Sequence, residues 1–443
     1  MLTRPIRLSA HFALGKNETL MPQAKQYSPS LEVAASPICG LSASGIAWAL
    51  AIIFSISFVP SQKAHAQTLV TLYNFAGEPD GSAPFANLIR DAAGNLYGTT
   101  GIGGATNNGT VFEISSQGVE TIIHSFGGSP PPDGRGPYAG LLRDKDGNLY
   151  GTTSYGGIHN LGTVFKITAS GEERVLYSFK GSDGANPYGG LILDSDGHLF
   201  GTTLYGGAGS CPSVGKNGCG TVFVLSQSGT EHVLYSFQGG SDGAFPSSTL
   251  VRDTAGNLYG TTESGGCSYG ENCGTVFRIS KAGEKVLHRF SGPNDGTGPN
   301  GVIFGPGGNL YGTTVSGGTY NRGTVFGLTP EGKEKVLYSF GSVPNDGTNP
   351  YAGLVWDGDA TFYGTTNQGG PPNCLSGCGT IFSVTTVGVE TVLYYFGANG
   401  TEGFIPFAGL IRDPAGNLYG TTGEGGPTDS GTVFEFTPLG QRE

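Results

Sequence analysis

Residues 70–75 read V-T-L-Y-N-F, and residues 431–434, close to the end of the chain, read G-T-V-F. Between them one phrase, N-L-Y-G-T-T or a near variant, recurs seven times, with its glycine at Gly98, Gly151, Gly201, Gly260, Gly312, Gly364 and Gly420. Each copy is followed by a Gly-Gly pair and then by G-T-V-F. In the complete units a V-L-Y-S-F segment, D-G-x-x-P and A-G-L-I-R-D come next. The last copy has no V-L-Y-S-F after its G-T-V-F, whereas residues 70–75 supply one at the start. Successive copies lie 50 to 59 residues apart, which is room for four short strands. These are A-G-L-I-R-D, N-L-Y-G-T-T, G-T-V-F-x-I and V-L-Y-S-F, all rich in β-branched and aromatic residues and without a 3.6-residue apolar stripe. Four strands per unit predict a propeller blade. The offset predicts a closed ring, since a strand from the N-terminus that completes the last blade leaves no edge to pair elsewhere. The expected fold is an all-β, seven-bladed β-propeller of four-stranded blades.

Composition agrees. Eighty glycines and only two methionines among 443 residues suit a turn-rich sheet protein, and the glycines sit at fixed offsets inside an apolar repeat, unlike those of a disordered chain. Residues 1–66 read as a signal peptide and leader, and residues 67–443 as a single seven-repeat propeller domain. The apolar run at 46–60 is shorter than the roughly 20 residues a membrane span needs. It is followed by A-H-A at 64–66, an export cleavage pattern that places the mature start at Gln67. Arg4, Arg7, Lys16 and Lys25 make a long basic segment ahead of that run, so Met21 is an alternative start. An uncleaved signal anchor is the competing reading. The expected location is extracellular or periplasmic, with no membrane span in the mature chain. The formal charge of −11 becomes −14 without the leader, with 18 Lys+Arg against 32 Asp+Glu. An acidic chain with no basic run is not a nucleic-acid binder. A monomer is expected.

Six cysteines remain after the leader, in three local pairs: Cys211 with Cys219, Cys267 with Cys273, and Cys374 with Cys378. Each second cysteine immediately precedes a G-T-V-F or G-T-I-F. In an exported chain they read as three disulfides, each stapling the loop after a Gly-Gly pair. A zinc site would need four converging ligands, and no histidine accompanies the pairs.

The tandem Y-G-T-T-x-x-G-G and G-T-V-F units resemble the GloVer-type repeats of bacterial extracellular proteins, over residues 67–443. The resemblance implies export and a repeat scaffold, and carries no activity or site residue with it. The chain departs from surface-anchored members in ending at Gly440-Gln441-Arg442-Glu443, without an apolar, basic sorting tail.

In a propeller the loops between strands two and three share one face with the blade-to-blade connections. That face holds the length variation, the paired cysteines and D-G-x-x-P, so it is where binding is expected. The acid of D-G-x-x-P is Asp80, Asp133, Asp183, Asp242, Asp295, Asp346 or Glu402, and an aromatic follows the proline at Phe85, Tyr138, Tyr188, Tyr351 and Phe407. Ring closure would arrange seven carboxylates beside these aromatics, a combination suited to a sugar or a cation such as calcium. The plainer alternative is an Asp-Gly turn with the aromatic packed between blades. Asp144 and Asp146, like Asp194 and Asp196, resemble pieces of a calcium loop but lack its closing glutamate and fall on the D-x-x-G-N turn. His124 and His288 replace the tyrosine of V-L-Y-S-F and read as packing residues. No catalytic motif is present, so no catalytic residue and no resident cofactor are expected. The expected function is a non-enzymatic binding or interaction module for an extracellular glycan or protein. The alternatives are a carbohydrate-active hydrolase or lyase, whose site should show unique acids, and a structural cell-surface repeat protein.

Overall fold

The computed structural model describes residues 67–128, 133–211, 218–267, 273–371, 378–397 and 402–438. The expected leader, 1–66, lies outside them, as does Cys374. Seven four-stranded antiparallel sheets form the blades of a seven-bladed propeller. Blade one is Ile89–Arg90, Leu96–Thr100, Thr110–Ile114 and Glu120–Ser125, and blade two is Leu142–Arg143, Leu149–Thr153, Thr163–Ile167 and Glu173–Ser178. Blade three is Ile192–Leu193, Leu199–Thr203, Thr221–Leu225 and Glu231–Ser236. Blade four is Val251–Arg252, Leu258–Thr262, Thr275–Ser280 and Gly283–Arg289. Blade five is Thr297–Phe304, Leu310–Ser316, Thr324–Leu328 and Glu334–Ser339. Blade six is Val355–Trp356, Thr361–Thr366, Thr380–Thr385 and Glu390–Tyr395. Blade seven takes Ile411–Arg412, Leu418–Thr422 and Thr432–Thr437 from the end of the chain and Thr68–Asn74 from its start. Thr68 pairs with Thr437 and Asn74 with Thr432, so the expected closure is the observed one.

The cores lie between blades. Seven buried clusters occur among the described residues, each drawn from two neighbouring blades. In one, Tyr97, Val111 and Phe126 of blade one meet Leu141, Leu149 and Phe165 of blade two. The cluster at the closure joins Phe75, Tyr419 and Val433 to Leu88, Leu96 and Phe112. The two threonines of Y-G-T-T have separate tasks. The second bonds across its own sheet, as in Thr153 to Thr163 at 2.7 Å and Thr203 to Thr221 at 2.8 Å. The first reaches the next blade's backbone: Thr99 donates to Ala139 O, Thr313 to Ala352 O, and Thr421 to Pro84 O across the closure. Both are buried and satisfied, as polar groups inside a core must be.

Two features go beyond the four-strand expectation. Strand one is only two residues long in every blade but the fifth. In addition, the D-G segment pairs with the residues after Y-G-T-T, as Gly134–Arg135 does with Tyr155–Gly156, which puts these two loops side by side on one face. The Gly-Gly pair makes this possible: Gly156 has φ +80, and a Cβ there would stand 2.6 Å from Asp133 O.

Candidate functional site

The D-G-x-x-P acids form a ring of tethers. Asp183 accepts hydrogen bonds from the Tyr177 hydroxyl at 2.5 Å and Lys180 N at 2.8 Å. Asp346 accepts from Tyr338 Oη, Gly341 N and Ser342 N. Asp80 and Asp242 do the same with Tyr73 and Tyr235, and Glu402 with Tyr394. His124 and His288 stand in the tyrosine position at Asp133 and Asp295, with Nε2 3.7 Å and 3.2 Å from the carboxylate. Each acid thus ties the end of strand four to the connection that follows. These carboxylates face the tethering tyrosine or histidine and the loop backbone.

A third member of each junction was not foreseen. The glutamate that opens strand four of the following blade faces the same acid: Glu120 with Asp80, Glu173 with Asp133, Glu231 with Asp183, Glu284 with Asp242, Glu334 with Asp295 and Glu390 with Asp346. In all six, Oε1 is buried and has no hydrogen-bond partner. Burial, reinforced by the neighbouring aspartate, pushes Glu120, Glu231, Glu334 and Glu390 up to about 7 and Glu173 up to about 6. At the seventh junction Leu69 occupies the glutamate's register position, opposite Phe436 as Glu120 is opposite Ile114. It is there that Glu402 replaces aspartate. The recurrence of G-x-E before V-L-Y-S-F in five units, with Gly283-Glu284 in the sixth, was the available signal.

The aromatics after the proline form an arc. Tyr351 contacts Phe407 at 5.6 Å between ring centroids, Phe407 contacts Phe85 at 5.0 Å and Phe85 contacts Tyr138 at 6.5 Å. Tyr138 then stacks on Tyr188 at 5.5 Å, with 6° between the ring planes. All five rings keep some solvent exposure. The arc stops at blades four and five, where Ser247 and Asn300 take the aromatic position. The residue after Y-G-T-T explains the spacing: a Cβ on Gly101 would strike Tyr138, and one on Gly423 would strike Phe85 and Phe407. Glu263 holds that position in blade four, at the gap in the arc. It is the one acid there among seven units, and sequence reasoning did not single it out. Glu263 is exposed to solvent. Its carboxyl is pushed up by burial, with the Ser247 hydroxyl acting against the rise.

Next to the stacked pair lies a pocket of about 700 Å³ between blades two and three, lined by Tyr155, Asn160, Lys180, Ser182, Asn186 and Tyr205. Arg135 lies 5.7 Å from the centre of the Tyr155 ring and donates to Asn160 Oδ1 at 3.0 Å. Asn186 is pinned by its own bond to Ser154 O. The Tyr188 hydroxyl is pushed up by burial and by its hydrogen bond with Tyr155. The pocket walls are therefore held by their own bonds before any ligand enters. A smaller cavity of about 300 Å³, lined by the first strands of all seven blades, marks the axis.

The remaining expected residues fall as follows. Cys211 joins Cys219, and Cys267 joins Cys273, each inside the loop between strands two and three. Asp144 Oδ1 accepts from Asp146 N and Asn148 N, and Asp194 Oδ1 from Asp196 N and His198 N, so both serve their own turns.

No curated protein sequence matches this chain. Among solved structures, the extracellular domain of a one-component system from B. thetaiotaomicron superposes with a TM-score of 0.53 at 14% identity, covering 85% of this chain and 42% of that one. A puromycin hydrolase mutant superposes with a TM-score of 0.51 at 11% identity, covering 82% of this chain and 54% of that one. The chain thus spans about half the length of these neighbours, and at such identity the likeness is one of fold. The Gloeobacter/Verrucomicrobia repeat model matches residues 40–214, 209–342 and 268–443. With the seven tandem units seen as seven blades, the chain belongs to the Gloeobacter/Verrucomicrobia repeat family.

Proposed function

We propose that the protein is an exported, non-enzymatic binding module that recognises an extracellular glycan through the tyrosine pocket between blades two and three. The pocket itself carries the reading. Tyr155 and Tyr205 offer ring faces for the apolar side of a sugar, and Lys180 and Ser182 offer donors for its hydroxyls. The Tyr138–Tyr188 stack extends the aromatic surface beyond Tyr155, to which Tyr188 is hydrogen-bonded. Export is supported by the two loop disulfides, which suit an oxidising compartment, and by the extracellular setting named for a structural neighbour.

The test is a glycan array and a turnover screen on the full chain, with and without calcium. Binding is expected, without turnover. Tyr155→Ala and Tyr205→Ala should each weaken it at least about tenfold, the size expected when a stacking ring is removed, while the unfolding temperature stays near that of the parent. Binding that ignores both substitutions overturns the pocket assignment. Glu263 favours a second reading, a carbohydrate hydrolase, because an acid with a raised pKa at a break in the symmetry is what a general acid requires. Turnover abolished by Glu263→Gln would establish that reading instead. Neither binding nor turnover would leave the structural surface protein.

A further inference from the structure

The seven strand-four junctions are not equivalent. Five carry a tyrosine and two a histidine. At His288 the ring nitrogen already bonds Asp295 at 3.2 Å. At His124 it does not: Nε2 is 3.7 Å from Asp133 Oδ2, and it is buried with no hydrogen-bond partner. Glu173 Oε1 beside it is buried and unpartnered too. His124, Asp133 and Glu173 each present a ligand atom within 4.8 Å of the others. The orphaned glutamate oxygen recurs at the other junctions, but only here does an unpartnered imidazole nitrogen stand beside it, and two buried unsatisfied polar atoms side by side are costly unless something binds them.

We propose that His124, Asp133 and Glu173 form a binding site for a divalent transition metal, with zinc the best fit. One imidazole and two carboxylates are a borderline donor set, which suits zinc better than calcium. Bonds of about 2.0–2.2 Å would draw the three atoms together by on the order of an ångström, within reach of side-chain rotation. Asp133 is already aimed: Gly127 N, Gly128 N and Gly134 N donate to it at 2.7, 2.9 and 2.7 Å, the kind of outer support that orients a metal ligand. A cavity of about 470 Å³ reaches Asp133 and Glu173 from solvent and gives the ion a way in and room for water ligands. The site lies between blades one and two, so a bound ion would bridge them. A second His/Asp group among the described residues, Asp194, Asp196 and His198, lies on a single turn, and there His198 Nδ1 already stands 3.2 Å from Asp194 Oδ2.

The experiment is zinc titration of the metal-stripped full chain by calorimetry, with bound metal counted after gel filtration and cobalt(II) absorbance as a second readout. One equivalent is expected, with a rise in unfolding temperature. His124→Tyr installs the residue found at five of the seven junctions, so folding should be retained while the equivalent is lost. Glu173→Gln should weaken binding by more than about tenfold, since the loss of an outer-shell partner alone costs about that much. Three further variants must leave the stoichiometry unchanged: His288→Tyr, His159→Ala beside the cavity, and His198→Asn, which restores the common turn residue. Retention of no zinc by the parent, or of one equivalent by His124→Tyr, overturns the proposal.

Discussion

At the scale of single residues, the glycine of Y-G-T-T shows how tightly the repeat is specified. Gly151 has an ordinary backbone conformation, so its requirement is one of space. A Cβ there would lie 2.5 Å from the Phe165 ring and 3.1 Å from Leu141. The same phenylalanine closes over the same glycine in every blade, for example Phe112 over Gly98 and Phe434 over Gly420. Gly151→Ala is therefore an overpacking change, expected to destabilise by about 1–3 kcal/mol in denaturant unfolding. An unchanged midpoint would mean that the phenylalanine can move aside and that the glycine is kept for another reason. The phrase was legible as a strand, but its internal logic was not. The two threonines look alike in sequence, yet one bonds its own sheet and the other the next blade.

At the scale of elements, Thr68–Asn74 is the segment on which closure depends. It covers the edge of Thr432–Thr437, and the Phe75 beyond it is 1% exposed inside the cluster joining blades seven and one. A chain begun at residue 76 should expose that edge and associate, as unpaired edge strands do. Light scattering after gel filtration should show a larger species than the parent gives, and a synthetic peptide of residues 67–75 should restore the parent's mass. A truncated chain that keeps the parent's association state and unfolding temperature would refute the closure argument. This strand was readable in advance because its signal is local: the same five-residue pattern appears seven times and is displaced once. The tyrosine pocket was not readable, because Tyr155 and Tyr205 belong to different units and become neighbours only when blades two and three stand side by side. Likewise Asp183 and Glu231 are 48 residues apart in sequence and meet only across a blade boundary.

At the scale of the whole molecule, those junctions set the response to pH. Six glutamates, Glu120, Glu173, Glu231, Glu284, Glu334 and Glu390, each face an aspartate across a blade boundary. Burial first, and that aspartate second, raise the carboxyls of Glu120, Glu231 and Glu390. Glu284 is raised in the same way, with Arg289 opposing. For Glu173 and Glu334, burial is followed by an opposing pull from His124 or His288 and then by the aspartate's push. Glu120, Glu231, Glu334 and Glu390 reach about 7 and Glu173 about 6, against 4.5 for an unhindered glutamate. A carboxyl that holds its proton more firmly in the folded chain stabilises that chain when protonated. This contribution is complete below the unfolded value and is lost as pH rises through 6 to 7. A second set acts oppositely. Asp91, Asp144, Asp194 and Asp253 are pushed up by burial, but the donors of their D-x-x-G-N turns outweigh it and hold them below the usual aspartate range. Their contribution is present above 3.8, the unhindered value, and falls away under acid. Together the two sets place maximal stability between the unhindered values of 3.8 and 4.5, where the first contribution is still complete and the second is already present. Unfolding temperature measured across pH 3 to 9 should peak there and decline on both sides. Replacing Glu120, Glu231 and Glu390 with glutamine should flatten the alkaline decline and leave the acid one in place. An alkaline limb unaffected by that triple replacement would show that the inter-blade glutamates do not titrate with folding. The blades would then owe their alkaline sensitivity to net charge alone, at −11 over the whole chain.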